Sequence, residues 1–359
     1  MTPISNSYFL DTQPLTVYKE ADNTFSALEE NGKRVRWTSK GLLSEGGQGE
    51  IRVVKSSLDA KDYIFKFPKN EDHYESILQE GKVLYKLNQK DPEEQYHIVK
   101  LTSIFSLERM PVLVFPRYES DLIPLIKLGL DLSFSRVLFF LRQVLRAVKY
   151  LHENQVIHRD IKPANIFVAE NDQVKLGDFG IAVIKGEAVR SKTAGTRRYA
   201  SPEYLLLNEI DYPMDVWAVG CVAAELLAKG SSLFSGARSE AVVEAHYGRF
   251  KETYPRSLLL KISNPKIQKK YEEKSIPDFR LSFDAFMSYS FCGRPENHSE
   301  EIKEGFNRFV KAMLECDPEI RSVVEESLIA LEALKFTAQA QTSKENNNQN
   351  SSKIYCLVS

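Results

Sequence analysis

His158 to Phe167 reads HRDIKPANIF, and this stretch decides the fold. A histidine, an arginine, an aspartate, a lysine and an asparagine fall within eight positions, with aliphatic residues between them. A polar loop is the simplest reading. The next motif gives a better one: KLGDFG, residues 175–180, follows Asn165 after the hairpin-like stretch IFVAENDQVKL. Two strand ends then deliver Asn165 and Asp178 to one point, and their hard oxygens are the ligands that magnesium prefers. Asp160 is left to accept a proton from a hydroxyl. Lys162, two positions on, can neutralise a phosphoryl group in transfer. All the polar residues of the stretch acquire a role.

Upstream, LSEGGQGEI (Leu43–Ile51) lies between two β-like runs. Glycines there let a turn bring backbone N–H groups close to phosphate oxygens, although a glycine-rich hairpin alone is a weak signal. The run YIFK ends a strand at Lys66. The stretch Ser76–Leu87 then sets Ile77, Glu80, Leu84 and Leu87 at helical spacings of three and four. A strand lysine facing a helix glutamate can hold an ion pair beside a phosphate, and a surface salt bridge is the alternative.

In this order and at this spacing the motifs resemble those of the eukaryotic-type protein kinases, over roughly Trp37 to Lys335. They are Gly46 and Gly49, Lys66, Glu80, HRDIKPAN, DFG, SPE (201–203), DVWAVG (215–220) and CDPEIR (316–321). The resemblance implies an α+β, bilobal protein kinase fold, with a small antiparallel β lobe carrying one key helix and a larger, mainly helical lobe. It implies ATP and Mg2+ as cofactors. Lys66 would hold the α and β phosphates and pair with Glu80. Asp178 and Asn165 would bind magnesium, and Asp160 would orient the acceptor hydroxyl. Leu43, Ile51 and the loop glycines would cover the nucleotide. Phe115 falls at the gatekeeper position, and Pro116 to Tyr118 become the hinge that meets adenine. Asp121 stands where the family binds ribose or, equally, as the N-cap of LIPLI. Glu203 and Arg321 match a buried structural ion pair, while His158, Phe179 and Leu84 match the packed column that aligns the lobes.

In this family, Lys162 together with Thr196 before the SPE motif goes with serine or threonine acceptors on protein substrates. Arg159 suggests a grip on a phosphate carried by the activation segment, with Ser191, Thr193 and Thr196 as candidate regulatory sites; alternatively the short segment is ordered unmodified. Departures from the pattern are Ser44 for the first lid glycine, Ile64 where alanine is usual, Pro116 for an acidic hinge residue and Ser201 for the alanine of APE. An insert centred on residues 264–286 either docks a partner or is passive. Two rival classes remain: a kinase-fold scaffold without catalysis, disfavoured by the complete residue set, and a small-molecule or lipid kinase, disfavoured by the SPE and DVWAVG segments.

Composition limits the rest. The 48 basic and 49 acidic residues give a net charge of −1, so no whole-molecule field favours nucleic acid. Four dispersed cysteines without a CxxC pair fit a reducing compartment. With no secretory pattern at the start of the sequence, a cytoplasmic location is expected. Helices should dominate from Ser133 onward, with FSRVLFFLRQVLRAVKYLHEN capped by Ser133 or Ser135 and a second buried helix from Met214 stopped by Gly230. Residues 1–36 are expected as an N-terminal extension, 37–335 as the kinase domain (small lobe about 37–115, large lobe about 119–335) and 336–359 as a disordered polar tail. The last residues, Cys356-Leu357-Val358-Ser359, fit a prenylation pattern favouring farnesyl on Cys356. One such chain without a second signal implies reversible membrane association.

Overall fold

The computed structural model describes residues 15–20, 24–28, 34–45, 49–108, 110–127, 132–189, 194–234, 261, 269, 283–291 and 298–356. The first part of the chain builds a closed β barrel. Its strands are β1 (Leu15–Lys19), β2 (Thr24–Leu28), β3 (Arg34–Glu45), β4 (Glu50–Ser56), β5 (Asp62–Phe67), β6 (Ser103–Leu107) and β7 (Met110–Pro116), in the order β1-β2-β3-β4-β5-β7-β6. All neighbours are antiparallel except β1 and β6, which run parallel. Alternation explains the sheet: Val17, Phe25, Ala27, Val35, Trp37, Val54, Phe65, Phe105, Val112 and Val114 point inward and form one apolar cluster. Helix α1 (Glu71–Lys90) lies across this lobe, started by Asn70, whose side chain accepts from the His73 N–H at 3.2 Å. Ile77, Leu84 and Leu87 are fully buried on one face of it, as the 3–4 spacing requires.

The chain then crosses through β8 (Ser120–Asp121) and α2 (Leu122–Lys127) into a helical lobe. Helix α3 (Phe134–Glu153) is capped by Ser133, which accepts from the Arg136 N–H. The short strands β9 (Val156–Ile157), β10 (Ile166–Val168), β11 (Val174–Leu176) and β12 (Val183–Ile184) follow, with β11-β10-β8 and β12-β9 forming two small sheets. Helices α4 (Pro202–Leu207), α5 (Pro213–Leu227), α6 (Phe283–Phe291), α7 (Glu300–Met313) and α8 (Val324–Cys356) complete the described structure. Met214 through Leu227 of α5 are all buried, so this helix is the axis of the lobe. It ends before Gly230, whose N–H donates back to the Glu225 carbonyl at 3.0 Å.

Two expectations change. The residues before Trp37 are not outside the small lobe: Val17, Phe25, Ala27 and Val35 are its core, and β1 and β2 close the sheet between β3 and β6. The strands β2 and β3 pair as a hairpin, with Leu28 opposite Arg34. The tail is not without structure, since the backbone of α8 is helical through Cys356. The polar composition of residues 337–353 argues against a core there, but no proline or glycine from Val324 to Cys356 stops a helix already nucleated by the buried Leu331 and Leu334. Most of the insert at 264–286 lies outside the described residues. Its last part opens α6, where Phe283 and Phe286 are buried in the large-lobe core.

Candidate active site

Lys66 stands on β5 and Glu80 on α1, and their charged groups meet at 2.6 Å. The same ammonium reaches Asp178 Oδ1 at 2.8 Å, so one cation is shared by two carboxylates from opposite lobes. Burial alone would lower the lysine pKa, but the charges of Asp178 and Glu80 outweigh it and hold the ammonium well above the usual lysine range. Burial raises the Glu80 pKa, and the neighbouring Asp178 charge adds to this against the pull of Lys66. For Asp178 burial acts upward too, yet Lys66 prevails and keeps the carboxyl below its ordinary value. Of the two carboxyls on this lysine, Asp178 is held below its ordinary range and Glu80 above it.

The residues of the HRDIKPAN stretch are tied into one network. Lys162 Nζ donates to Asp160 Oδ2 at 2.7 Å and to Thr196 Oγ1 at 2.9 Å. The Thr196 N–H donates to Asp160 Oδ1 at 2.9 Å. Asn165 turns its amide nitrogen to the Asp160 carbonyl at 2.8 Å and to Asp160 Oδ2 at 3.1 Å. Its amide oxygen is thereby left as the atom that can face a cation. The Gly177 N–H donates to the Asn165 carbonyl at 2.9 Å, which holds the two motifs side by side. No larger residue fits before Asp178: a Cβ on Gly177 would stand 2.7 Å from Val99 Cγ1 and 2.8 Å from Phe167 Cε2.

The support beneath is buried. Asp215, the first residue of DVWAVG, accepts the N–H groups of His158 and Arg159, each at 2.9 Å, and lies 3.1 Å from His152 Nε2. Burial opposes its ionisation, but these hydrogen bonds lower its pKa below the carboxylate norm. Arg159 and Asp178 both adopt left-handed backbone, at φ 71° and 63°, a conformation that non-glycine residues hold only where surroundings enforce it. His158 packs on Phe179 with ring centroids 4.7 Å apart, and Leu84 is buried in the same core. Arg321 binds Glu203 through both guanidinium nitrogens at 2.7 and 2.8 Å.

Around the cleft, Ile51 pairs with Lys66 across β4 and β5, and Phe115 pairs with Ile64 across β5 and β7. Gly49 is buried and Leu43 is largely exposed at the open end of β3. Gly46 lies outside the described residues. Tyr118 stacks on Phe167 at 5.9 Å and its hydroxyl accepts from the Lys100 N–H, which leaves the main chain as what it can offer a nucleotide. Asp121 caps α2, accepting from the Ile123 N–H at 2.8 Å. Ser191 and Thr193 lie outside the described residues. Thr196 does not stand on an open loop: its hydroxyl is part of the Lys162–Asp160 network.

Sequence reading left several participants unassigned. Asp215 was legible in principle as a lone carboxylate opening an apolar helix. Ser76, Gln79 and Lys82 carried no signal, yet they follow one face of α1 and bond the Gly180 carbonyl, the Ala182 carbonyl and Glu187 in turn.

One lysine thus holds two carboxylates, beside an aspartate held by a lysine and a threonine. The protein kinase domain family matches residues 37–330, and the chain belongs to that family. It is 37% identical over 202 residues to cyclin-dependent kinase-like 1 of Caenorhabditis elegans, covering 54% of this chain and 55% of that one. It is 37% identical over 149 residues to cyclin-dependent kinase 20 of Danio rerio, covering 40% and 43%. To mitogen-activated protein kinase 10 of Oryza sativa subsp. japonica it is 35% identical over 204 residues, covering 53% and 33%. The chain thus spans about half, or less, of the length of these relatives.

Proposed function

We propose that this chain is a serine/threonine protein kinase that transfers the γ-phosphoryl group of ATP, with Mg2+, to hydroxyls of protein substrates. The observation that carries the proposal is Lys66 bridging Glu80 and Asp178 at 2.6 and 2.8 Å. Such a bridge sets a strand lysine for the α and β phosphates and fixes the two lobes at a working separation. The Asn165 amide oxygen and the ionised Asp178 carboxylate fit a magnesium ion in donor type. Magnesium, when bound, supplies charge neutralisation on the phosphate oxygens. Asp160 orients the acceptor hydroxyl and takes up its proton, while Lys162 offsets negative charge on the moving group. Thr196 fixes both of these residues and favours serine or threonine acceptors by resemblance. The test is phosphate transfer from ATP to a degenerate peptide array by the purified chain. Transfer to serine and threonine peptides that Asp178→Asn abolishes is expected; transfer unchanged in that variant defeats the assignment.

Where Ser359 ends the mature chain, we further propose that Cys356 carries a farnesyl group and that the protein visits cytoplasmic membrane surfaces reversibly. The support is the Cys356–Ser359 pattern alone, and a single lipid gives only marginal membrane affinity. The α8 backbone is helical through Cys356, so modification requires its last turn to unwind. In cells with prenyltransferases, Cys356→Ser should move the protein from the membrane to the soluble fraction. An unmodified Cys356 in intact-mass analysis ends the idea.

A further inference from the structure

The match to the family begins at Trp37, yet two earlier strands, β1 and β2, close the small lobe into a barrel. What β2 presses against is β5, the strand that carries Lys66. Side chains alternate along a strand, so Lys66 leaves one face toward Glu80 and Asp178 while its two neighbours, Phe65 and Phe67, leave the other toward the barrel core. Phe25 of β2 packs on both of them, with ring centroids 5.5 and 5.7 Å apart. It therefore braces β5 on either side of the lysine. Trp37, opposite Phe25 across β2 and β3, lies 5.7 Å from the Phe65 ring. Phe105 of β6 closes the set at 5.7 Å from Phe65 and 4.9 Å from Trp37, and β6 is the strand that β1 covers.

Phe67 also supports the glycine loop. A Cβ on Gly49 would collide with the Phe67 carbonyl oxygen, so the backbone of the loop rests directly on that residue. Lys66 and the turn at Gly49, the two elements read as holding the ATP phosphates, thus share one support. The ladders to β4 and β7 align β5 along its length. The rings beneath fix its height over the barrel core, which is the direction in which Lys66 reaches the cleft.

We propose that Phe25 is a positioning residue for ATP: the hairpin ahead of the family domain sets the height of Lys66 and of the Gly49 turn for the phosphates of the nucleotide. The proposal rests on the kinase reading. Calorimetric titration of Mg-ATP into the full chain, well below its melting temperature, tests it beside kinetics on a peptide substrate. Phe25→Ala removes the brace; it weakens the Kd and raises the KM for ATP about tenfold, with kcat at saturating ATP within about twofold of wild type. Phe25→Leu refills most of the volume without the ring, weakens the Kd about threefold, and decides the point if the alanine variant does not fold. Leu331→Ala, in the other apolar cluster, supplies a comparable loss of stability and keeps the wild-type Kd. A merely structural phenylalanine would lower the folded fraction, and with it the apparent kcat, while leaving the KM alone. Wild-type Kd in the Phe25 variants, or an equal weakening in Leu331→Ala, overturns the proposal. Wild type that binds Mg-ATP without transferring phosphate overturns the kinase reading alone, and the Kd comparison still decides the role of Phe25. Wild type that binds no nucleotide overturns both.

Discussion

Lys66 between two carboxylates makes two familiar substitutions unequal. Asp178→Asn leaves the buried Lys66–Glu80 pair in place, so turnover should fall roughly a thousandfold while thermal stability stays near wild type. Lys66→Met leaves Glu80 and Asp178 facing each other without a cation. It should lose turnover similarly and also cost about 3 kcal/mol of stability, the order seen when one member of a buried pair is removed. Thermal melts run beside kinetic assays separate the two cases; equal melting temperatures would refute the difference. His97 makes a pH prediction. Burial first, then the nearby charges of Lys175 and Arg146, push its pKa down to about 4, and its Nδ1 has no hydrogen-bond partner among the described residues. Unfolding raises that pKa, so the unfolded chain binds the extra proton first. Stability from this group is therefore complete above about pH 6.5 and is lost as pH falls toward 4, at up to about 1.4 kcal/mol per pH unit. His97→Asn, which tolerates the left-handed φ of 58°, should flatten the melting temperature between pH 6.5 and 4. That Lys66, Glu80 and Asp178 meet, and that Asp160 and Asn165 share a hydrogen bond, was legible because the motifs that carry them stand in the order and at the spacing of the family pattern. The part of Phe25 was not, since a phenylalanine ahead of the first motif is chemically silent until folding packs it on Phe65 and Phe67.

At the scale of elements, the barrel holds an apolar cluster separate from the main core of α1 and the helical lobe. Phe25, 2% exposed, packs on Phe65 and Phe67 at centroid distances of 5.5 and 5.7 Å. Phe25→Ala should cost about 3 kcal/mol. The loss should be local: amide exchange rises in β1 to β3, while α3 and α5 keep their protection. Uniform loss of protection would contradict two separate clusters. The strand β2 could be anticipated from its alternation, but its enclosure within a barrel could not. Register with a neighbour 90 positions away leaves no periodic mark in either segment. The end of α8 was misread for a different reason. Low complexity measures the absence of a core, whereas helix continuation needs only backbone propensity and a nucleated start.

Across the whole molecule, Arg321 ties the approach to α8 to both α4 and α5. Its guanidinium binds Glu203, donates to the Pro213 carbonyl at 2.9 Å and lies 5.0 Å from the Trp217 ring centre. Arg321→Lys keeps the charge but loses the two-pronged geometry and the stacking, so it should fail to rescue the roughly 3 kcal/mol lost in Arg321→Ala. Chemical denaturation of the three proteins decides the point; a lysine variant as stable as wild type would refute it. The parallel pairing of Leu15 with Phe105 sets the order in which this protein can be made. During synthesis β1 can pair with β2 at once, but its other edge must wait, unpaired, until the chain has grown past Leu107. For that interval it is an open strand edge that another nascent chain can capture. A ribosome pausing before β6 prolongs the exposure, and one pausing after it lets the barrel seal.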